Sequence, residues 1–321
     1  MTNEAKYKYN YVFYTVDEGA LGGAMFASLK VLDNVVIPPH NFLLEQKIPS
    51  VYPLKRSVFR KMYDAYSFDN KLPICFVFVG GIYALYENGY VDYIKGRDKR
   101  NRIVCIIQDI MERKLSRPYM KNFDTAKHKI DLFTTYDKSD AAKYDFLYVP
   151  EFFYEPQIEV TEPDNFDVDL LFLGRKKDRL EQLQEIASYL SGQNARCDFI
   201  IMEVSENERV PIKGVTYSDE YISYREYLKK IQQSRCLLEV TQTGSIAHTL
   251  RANEAVVFRR KLLTDRKIAP DDYFSCDAQV RTITGVSDID LDFLLSENNY
   301  TEFLRPNWRN KDRLRLLEEY L

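Results

Sequence analysis

Short apolar runs alternate along the chain with longer segments whose apolar positions recur at helical spacing. Ile74–Val79 and Ile103–Ile107 are apolar at every position, and Val168–Leu173 and Cys236–Val240 are nearly so. Runs that are apolar on both faces are typical of strands in a parallel sheet covered by helices on both sides. Asp178–Leu190 has the periodicity of an amphipathic helix. The pattern therefore predicts an α/β fold built from doubly wound parallel sheets.

This alternation occurs twice, which predicts two domains. Residues 151–166 are rich in Pro, Glu and Asp and carry no strong pattern, as expected of a linker. We predict an N-terminal Rossmann-like domain over 1–150, a linker over 151–166, a C-terminal Rossmann-like domain over 167–303 and a charged helix over 304–321. Further strands are predicted at Tyr11–Thr15, Val35–Ile37, Leu132–Thr135, Phe146–Val149, Phe199–Met202, Lys261–Thr264 and Val280–Ile283, and further helices at Ser57–Ser67, Ile82–Asn88, Ser223–Ser234 and Leu250–Phe258.

Composition limits the class of partner. The chain has 321 residues, 45% of them hydrophobic, and a net charge of −3. This is enough apolar material for two cores, and the slightly negative charge argues against nucleic acid as a partner. The 24 tyrosines and 19 phenylalanines either fill these cores or stack on sugar rings.

The cysteines and histidines argue against a disulfide or metal framework. The five cysteines are odd in number, scattered and without a CxxC pair, and only three histidines occur. We therefore expect free thiols in a reducing compartment and no metal site. The first residues are polar, and no apolar run reaches the roughly 18 residues of a membrane span. We expect a cytoplasmic protein.

The loops that follow two strands of the second half carry the candidate chemistry. Ligands of doubly wound sheets bind beyond the carboxyl ends of the strands. Gly174–Lys177 follows one strand and combines a glycine, for a tight turn, with three cations that suit a diphosphate. Thr241–Ser245 follows another and leads into a helix that begins near Thr249, where backbone N–H groups and the helix dipole favour phosphate. A solvated cationic loop is the alternative for Gly174–Lys177.

Glu254 lies about one turn inside that helix, where a carboxylate can accept hydrogen bonds from the hydroxyls of a ribose. Its helix also carries Ala252, Ala255 and Val256, so much of it should be buried. Because a buried carboxylate without a partner is costly, Glu254 should have a defined partner, either Arg251 or a ligand.

These segments resemble a known family. Thr249–Ala255, followed by Arg260–Thr264, resembles a helix and strand of bacterial lipopolysaccharide and capsular polysaccharide glycosyltransferases of the GT-B fold. Gly174–Lys177 resembles their donor-phosphate segment. Asp131–Tyr136 and Tyr148–Pro150 are similar to the end of their N-terminal domain. The resemblance spans most of residues 130–285.

The resemblance implies a fold and a function. The two Rossmann-like domains would face a cleft, and the C-terminal helix would pack back on the N-terminal domain. The activity would be transfer of a sugar from a nucleotide-sugar donor to a glycan or lipid-linked acceptor in surface polysaccharide synthesis, with no cofactor and no metal. The implied donor-binding residues are Gly174, Arg175, Lys177, Gln242, Gly244, Ser245, Thr249, Arg251 and Glu254.

The chain departs from this family at one position. Many retaining members carry two glutamates eight residues apart, and the earlier position is Ile246 here, so the anomeric outcome stays open. The N-terminal domain should supply the acceptor site and the general base. The candidates are Asp109 and Glu18, with Asp17 and His248 as further ones, and an ordinary turn or capping role is the alternative for each.

Two basic segments in the first half suggest a peripheral membrane contact. Leu54–Tyr66 and Tyr93–Arg102 intersperse lysines and arginines with aromatic residues, as do surfaces that lie on anionic membranes. Such a surface would bring the enzyme to a lipid-linked acceptor at the inner face of the membrane. The alternative is an ordinary solvated face.

Two other function classes remain open. One is a binding or scaffold protein on a catalytically degenerate GT-B-like fold, which the missing first glutamate would allow. The other is a nicotinamide-dependent oxidoreductase, because Gly19–Gly23 follows a strand, although its spacing is not GxGxxG.

Overall fold

The chain divides into two compact units, one formed by Met1–Tyr154 with Asn307–Leu321 and the other by Glu155–Pro306. The computed structural model describes residues 7–15, 24–38, 60, 63–64, 66, 68–79, 89–108, 110–112, 123–155, 165–243, 249–267, 279–298 and 309–321.

The first unit is built on a six-stranded parallel sheet with the strand order β2-β1-β3-β4-β5-β6. Its strands are β1 (Asn10–Tyr14), β2 (Val35–Val36), β3 (Ile74–Val79), β4 (Arg102–Ile107), β5 (Leu132–Thr135) and β6 (Leu147–Tyr148). Its helices before the second unit are α1 (Tyr90–Arg97), α2 (Phe123–Lys127) and α3 (Lys138–Tyr144), and a short 3-10 helix covers Ala27–Val31.

Aromatic side chains fill the core of this unit. The ring of Tyr14 stacks on Phe78 at 4.9 Å between centroids, and its hydroxyl lies 2.8 Å from that of Tyr90. Phe123, Phe133 and other buried rings extend the same core. Much of the high aromatic content therefore serves packing, the first of the two uses that the composition left open.

The second unit repeats the architecture with another six-stranded parallel sheet, ordered β12-β11-β10-β7-β8-β9. Its strands are β7 (Val168–Arg175), β8 (Cys197–Met202), β9 (Val215–Ser218), β10 (Ser234–Glu239), β11 (Lys261–Thr264) and β12 (Val280–Thr282). Its helices are α4 (Leu180–Gly192), α5 (Tyr224–Gln232), α6 (Leu250–Val257) and α7 (Leu291–Leu295). Two parallel sheets flanked by helices confirm the predicted fold class.

The apolar stripe of α4 shows why the pattern was readable. Leu183, Ile186, Ala187 and Leu190 are all buried in the core of the second unit, as their helical spacing predicts. Polar residues then define the ends of the neighbouring helices. Ser223 caps α5 by accepting from the backbone N–H of Glu226.

Several predicted boundaries need correction. β7 continues through Gly174 to Arg175, so Gly174 does not end the strand. β9 was not predicted, because its hydrophobic residues Val215 and Tyr217 alternate with Thr216 and Ser218 and form no continuous apolar run, as suits a strand at the edge of the described sheet. The C-terminal helix is described from Asn310 to Glu319, and residues 304–308 of its predicted range lie outside the described residues.

Free thiols occupy the predicted kind of environment. Cys75, Cys105 and Cys236 are buried and Cys197 is half-buried, all four without a disulfide. Burial raises the pKa of the Cys236 thiol to about 12, so this side chain acts as a small apolar group at neutral pH. Cys276 lies outside the described residues.

The last helix, α8 (Asn310–Glu319), belongs to the first unit. The fully buried Asn310 amide donates to the carbonyls of Met25 and Phe153 at 2.9 and 2.8 Å and to the Ser28 hydroxyl at 2.9 Å. Its side-chain oxygen accepts from the backbone N–H of Phe153 at 3.2 Å. At the far end of α8, the Glu318 carboxylate accepts from the Tyr11 hydroxyl at 2.8 Å. One amide thus ties three distant segments together.

We predict that Asn310→Leu destabilises the first unit by about 3 kcal/mol, because it leaves several buried backbone groups without partners. Equilibrium unfolding in urea measures this loss. Lys311→Ala, one position along the same helix and less buried, is the control and should change stability by less than about 0.5 kcal/mol. Equal stability of the two variants would contradict the role given to Asn310.

Candidate functional site

The strand order of the second unit creates a crevice between β7 and β10. From β7 the chain moves to β8 on one side, whereas β10 pairs with β7 on the other side. The connections after β7 and after β10 therefore leave the sheet toward opposite faces, and their separation opens a crevice at the carboxyl ends of the two strands. Gly174–Lys177 and Thr241–Ser245 are the segments that follow or end these strands.

Two arginines lie together at this edge. The guanidinium carbons of Arg179 and Arg251 stand 5.2 and 4.6 Å from the centroid of the Phe172 ring. Arg179, just before α4, donates to the carbonyl of Val240 at the end of β10. Arg251, in the first turn of α6, donates to the carbonyl of Leu173 in β7. Each arginine therefore spans from its own element to the opposite side of the crevice.

This arginine pair is poorly neutralised. Burial first, and then the charge of Arg251, lower the pKa of Arg179 to about 9, while Asp178, Asp265 and Glu239 act in the opposite sense. Neither guanidinium forms an ion pair with a carboxylate of the described residues. The Nε atoms of both arginines are buried without a hydrogen-bond partner in the same part of the chain. Two like charges held together in this way favour an anion as their ligand.

Gly174 leaves room for the guanidinium of Arg251. A Cβ at this position would lie 2.7 Å from a guanidinium nitrogen of Arg251 and 3.4 Å from one of Arg179. The tight turn expected from the sequence is absent, since Gly174 lies within β7. The glycine instead leaves the space that the arginine pair occupies.

The cations predicted from the basic run lie outside this pair. Arg175 and Glu203 form an ion pair at 3.2 Å, in which both side chains are more than half exposed. Lys176 donates to Glu208 at 2.6 Å, and Lys177 adopts a left-handed backbone conformation with φ of 46°. Diphosphate binding by Arg175 and Lys177 stays a prediction, and Arg179 is the residue of this segment that reaches the crevice.

Thr249 caps α6, as the predicted helix start implies, but its donors are already engaged. Its hydroxyl oxygen accepts from the backbone N–H of Arg251 at 3.2 Å. Its own N–H and hydroxyl donate to Glu239 at 2.9 and 2.6 Å. Phosphate binding at Thr249 stays a prediction, and it would require these two groups to give up their bonds to Glu239. Gln242 is half-buried, and Gly244, Ser245, Ile246 and His248 lie outside the described residues.

Glu254 is buried, and its partners are two tyrosines of α5. The Tyr224 and Tyr227 hydroxyls donate to its two carboxylate oxygens at 2.9 and 2.8 Å. These donors replace Arg251 and a ligand, the two partners considered from the sequence. Burial raises the pKa of Glu254 to about 7. A ribose would reach this carboxylate only if the tyrosines moved, because Glu254 is 3% exposed.

The neighbouring Asn253 is a second buried polar group of α6. It is fully buried, and neither its amide nitrogen nor its amide oxygen has a hydrogen-bond partner among the described residues. Leaving both groups unpaired is costly. A water or a polar ligand group would satisfy them.

Sequence reasoning did not single out Arg179, Glu239, Tyr224 or Tyr227. Arg179 follows directly on the basic run, and Glu239 interrupts an otherwise apolar strand, so both carried a local signal. The two tyrosines carried none, because their role depends on the packing of α5 against α6.

The candidate bases of the first unit lie outside the described residues. These are Glu18 and Asp109, together with Asp17. In this unit the strand order reverses between β1 and β3, and residues 16–23 and 80–88, which come after these strands in the sequence, also lie outside the described residues. Their roles stay predictions.

The described part of the basic surface is partly neutralised. Lys95 pairs with Asp131 and Arg100 with Asp98, at 2.6 and 2.8 Å. Arg97 lies 5.2 Å from the centroid of the Tyr63 ring. Most of Leu54–Tyr66 is outside the described residues, and a membrane contact stays a prediction.

The described residues form neither a metal-binding cluster nor a membrane-spanning helix. No cluster of three or more His, Cys, Asp or Glu side chains suited to a metal ion occurs in those residues. None of the helices seen there has the length and apolarity needed to cross a membrane.

Comparison with known proteins supports the fold. No family model and no curated protein matches the sequence. A solved protein described as a UDP-N-acetylglucosamine 2-epimerase from Listeria monocytogenes is 11% identical, over 96% of this chain and 94% of that one, with a TM-score of 0.50. The UDP-GlcNAc 2-epimerase from Methanocaldococcus jannaschii is 12% identical, over 96% of this chain and 98% of that one, with a TM-score of 0.46.

An α-glucosyltransferase solved in complex with UDP-glucose and DNA containing an abasic site is 10% identical, over 79% of this chain and 78% of that one, with a TM-score of 0.45. At such identities the likeness concerns the fold alone, and the Listeria protein is the one of these three that carries it. The fold is that of GT-B proteins, as the sequence resemblance implied.

We predict that Gly174→Ala destabilises the second unit by at most about 1 kcal/mol, because its Cβ displaces only the far end of the flexible Arg251 side chain. The cost should fall below about 0.5 kcal/mol when Arg251 is also replaced by alanine, which a double-mutant cycle in urea unfolding measures. Gly192→Ala in α4 is the control, because its Cβ would meet nothing within 4 Å. An equal cost with and without Arg251 would contradict the assignment.

We predict that stability falls as pH rises from about 5 to about 7.5, on the order of 3 kcal/mol at most. The Glu254 carboxyl has a pKa of about 7 when folded and 4.5 as the reference value, so the folded state binds its proton more tightly in that interval. Glu254→Gln should flatten the dependence, measured by urea unfolding at several pH values. Glu185→Gln, at an exposed position of α4, should leave it unchanged. A slope that survives in Glu254→Gln would refute this origin.

Proposed function

We propose that the chain is a glycosyltransferase whose second unit binds the diphosphate of a nucleotide-sugar donor at the arginine pair. The observation that carries the proposal is the convergence of Arg179 and Arg251 over Phe172, where the strand order reverses. Ligands of doubly wound sheets bind at such reversals. Two guanidinium groups that form no ion pair with a carboxylate of the described residues suit a ligand that carries more than one negative charge.

A diphosphate fits the chemistry of this edge. Each guanidinium can grip phosphate oxygens through two parallel N–H groups. The first turn of α6 adds the positive end of a helix dipole, and Arg251 lies in that turn. The arginines now donate to the carbonyls of Val240 and Leu173, neutral acceptors that a charged phosphate would outcompete.

The same cations would assist the transfer step. An acceptor hydroxyl forms a bond to the anomeric carbon while the bond from that carbon to the diphosphate oxygen breaks. Negative charge then grows on the leaving nucleoside diphosphate, next to Arg179 and Arg251, which stabilise it. The hydroxyl proton passes to a general base, for which Glu18 and Asp109 remain the candidates. Because the arginines supply the positive charge, the proposal needs no metal.

The donor ribose and the acceptor are less constrained. Ribose binding by Glu254 requires Tyr224 or Tyr227 to give up its hydrogen bond, and Asn253 offers unpaired donor and acceptor atoms on the same helix. A glycan or lipid-linked acceptor in surface polysaccharide synthesis is proposed from the sequence resemblance. The membrane contact through Leu54–Tyr66 and Tyr93–Arg102 is part of that proposal.

We predict that the protein binds one nucleoside diphosphate of a panel of UDP, GDP, dTDP and ADP, measured by calorimetry. Arg251→Gln should weaken this binding by about ten- to a hundredfold, the value of one charge-assisted hydrogen bond. Arg196→Gln is the control, because Arg196 pairs with Asp169 at the amino ends of β7 and β8, opposite the carboxyl ends where the arginine pair lies. Its affinity should stay within about threefold of the wild type.

Turnover of the matching nucleotide sugar separates the remaining possibilities. Sugar transfer to an added acceptor or to water supports the glycosyltransferase. Interconversion of the donor without loss of the nucleotide would replace it with an epimerase. No binding across the panel would refute the nucleotide site and favour a degenerate scaffold on the same fold.

A further inference from the structure

Glu239, the last residue of β10, carries a carboxylate that is completely buried at the edge where the arginine pair lies. One of its oxygens accepts from the N–H and the hydroxyl of Thr249 at 2.9 and 2.6 Å. The other accepts from the Thr264 hydroxyl at 2.6 Å and lies 3.8 Å from the Nε atom of Arg266. One side chain thus joins the start of α6, the end of β11 and the segment after β11 to the end of β10.

These contacts lead directly to Arg251. Thr249 is the residue that caps α6, and its hydroxyl oxygen accepts from the backbone N–H of Arg251. With both donors of Thr249 held by Glu239, the capping residue has one orientation, and the first turn of the helix is fixed with it. The guanidinium of Arg251 then lies over Phe172 and reaches Leu173.

The position of this charge has a physical cost. A carboxylate without exposure loses its hydration, and hydrogen bonds from neutral hydroxyls replace only part of it. A carboxylate nevertheless gives stronger hydrogen bonds than a neutral acceptor, and it lies near the positive end of the α6 dipole. An arrangement of this kind holds a neighbouring group to a narrow range of positions, which binding sites require.

We propose that Glu239 is a positioning residue of the nucleotide site: it sets Thr249, and through Thr249 it sets Arg251, without touching the ligand. This inference rests on the proposed function. A residue on the central strand β10 would thus determine the geometry of the arginine pair. For nucleotide affinity, the ability of residue 239 to hydrogen-bond Thr249 and Thr264 should matter more than its charge.

The test compares variants that keep or lose that shape. Glu239→Gln can still accept from Thr249, while its amide nitrogen donates to the Thr264 hydroxyl. Glu239→Ala removes both contacts. Thr249→Ser keeps the two donors and Thr249→Val removes the hydroxyl. Asp169→Asn is the matched control. Asp169 is another buried carboxylate of the same unit, and it binds Arg196 at the amino ends of β7 and β8.

Affinity for the nucleoside diphosphate that the wild type binds is measured by calorimetry, with the melting temperature of each variant recorded beside it. We expect Glu239→Ala and Thr249→Val to bind at least about tenfold more weakly, and Glu239→Gln and Thr249→Ser to stay within about threefold of the wild type. Asp169→Asn should lower the melting temperature without weakening binding. If Glu239 had only a structural role, Glu239→Ala would behave in the same way.

The outcomes separate this inference from the proposed function. Suppose that the wild type binds and that Glu239→Ala loses no more affinity than Asp169→Asn. Glu239 is then not a positioning residue, and the nucleotide site stands. If the alanine variant does not fold, Thr249→Val takes its place in this comparison. If Glu239→Gln binds as poorly as the alanine variant, the charge rather than the shape is required and the inference is overturned. If the wild type binds no nucleotide, the proposed function fails and this inference fails with it.

Discussion

The pairing of β10 with β7 is the constraint on which the second unit depends. The chain builds β7, β8 and β9 in one direction and then returns to the other side of β7, where β10 pairs with it from Ser234 to Leu237. This return brings the ends of two strands from distant parts of the sequence side by side. Their connections leave toward opposite faces, and Arg179 and Arg251 meet at the space between them.

Charge at this edge is held by geometry more than by neutralisation. The guanidinium groups pack on an aromatic face and donate to strand-end carbonyls, while the nearby carboxylate of Glu239 is used for threonine hydroxyls. In the crevice the positive charges are therefore only partly compensated. Elsewhere in the unit, cations such as Arg196 and Lys230 have direct carboxylate partners. This contrast indicates that the carboxyl ends of β7 and β10 favour binding of an anion.

The sequence predicted what depends on local pattern. The sequence predicted three strands with their correct bounds: Ile74–Val79, Leu132–Thr135 and Lys261–Thr264. A strand that is buried on both faces has a short apolar run, and the polar residues around that run mark its ends. The edge strand β9 was missed, because one partner and partial exposure impose no apolar run. Fold class follows from the sum of such runs and survives single errors.

The candidate site was predictable only in outline. Gly174 and Arg251 were both predicted site residues, but the sequence does not show that they are neighbours. A Cβ at Gly174 would lie 2.7 Å from a guanidinium nitrogen of Arg251, whose helix is far along the chain. The partners of Glu254 depend on how α5 packs against α6, which no periodicity encodes. The basic run comes just before Arg179 in the sequence, and three-dimensional packing decides that Arg179 lies beside Arg251.

The place of α8 in the first unit has a consequence for synthesis. Asn310 bonds to groups that precede it by 157 to 285 positions, so the first unit leaves the ribosome with its last helix still missing. The second unit, which lies between, can complete its own sheet before that helix exists. Folding of the part that is made first is thus finished last, and until then its buried carbonyls at Met25 and Phe153 must be hydrated or shielded by other means.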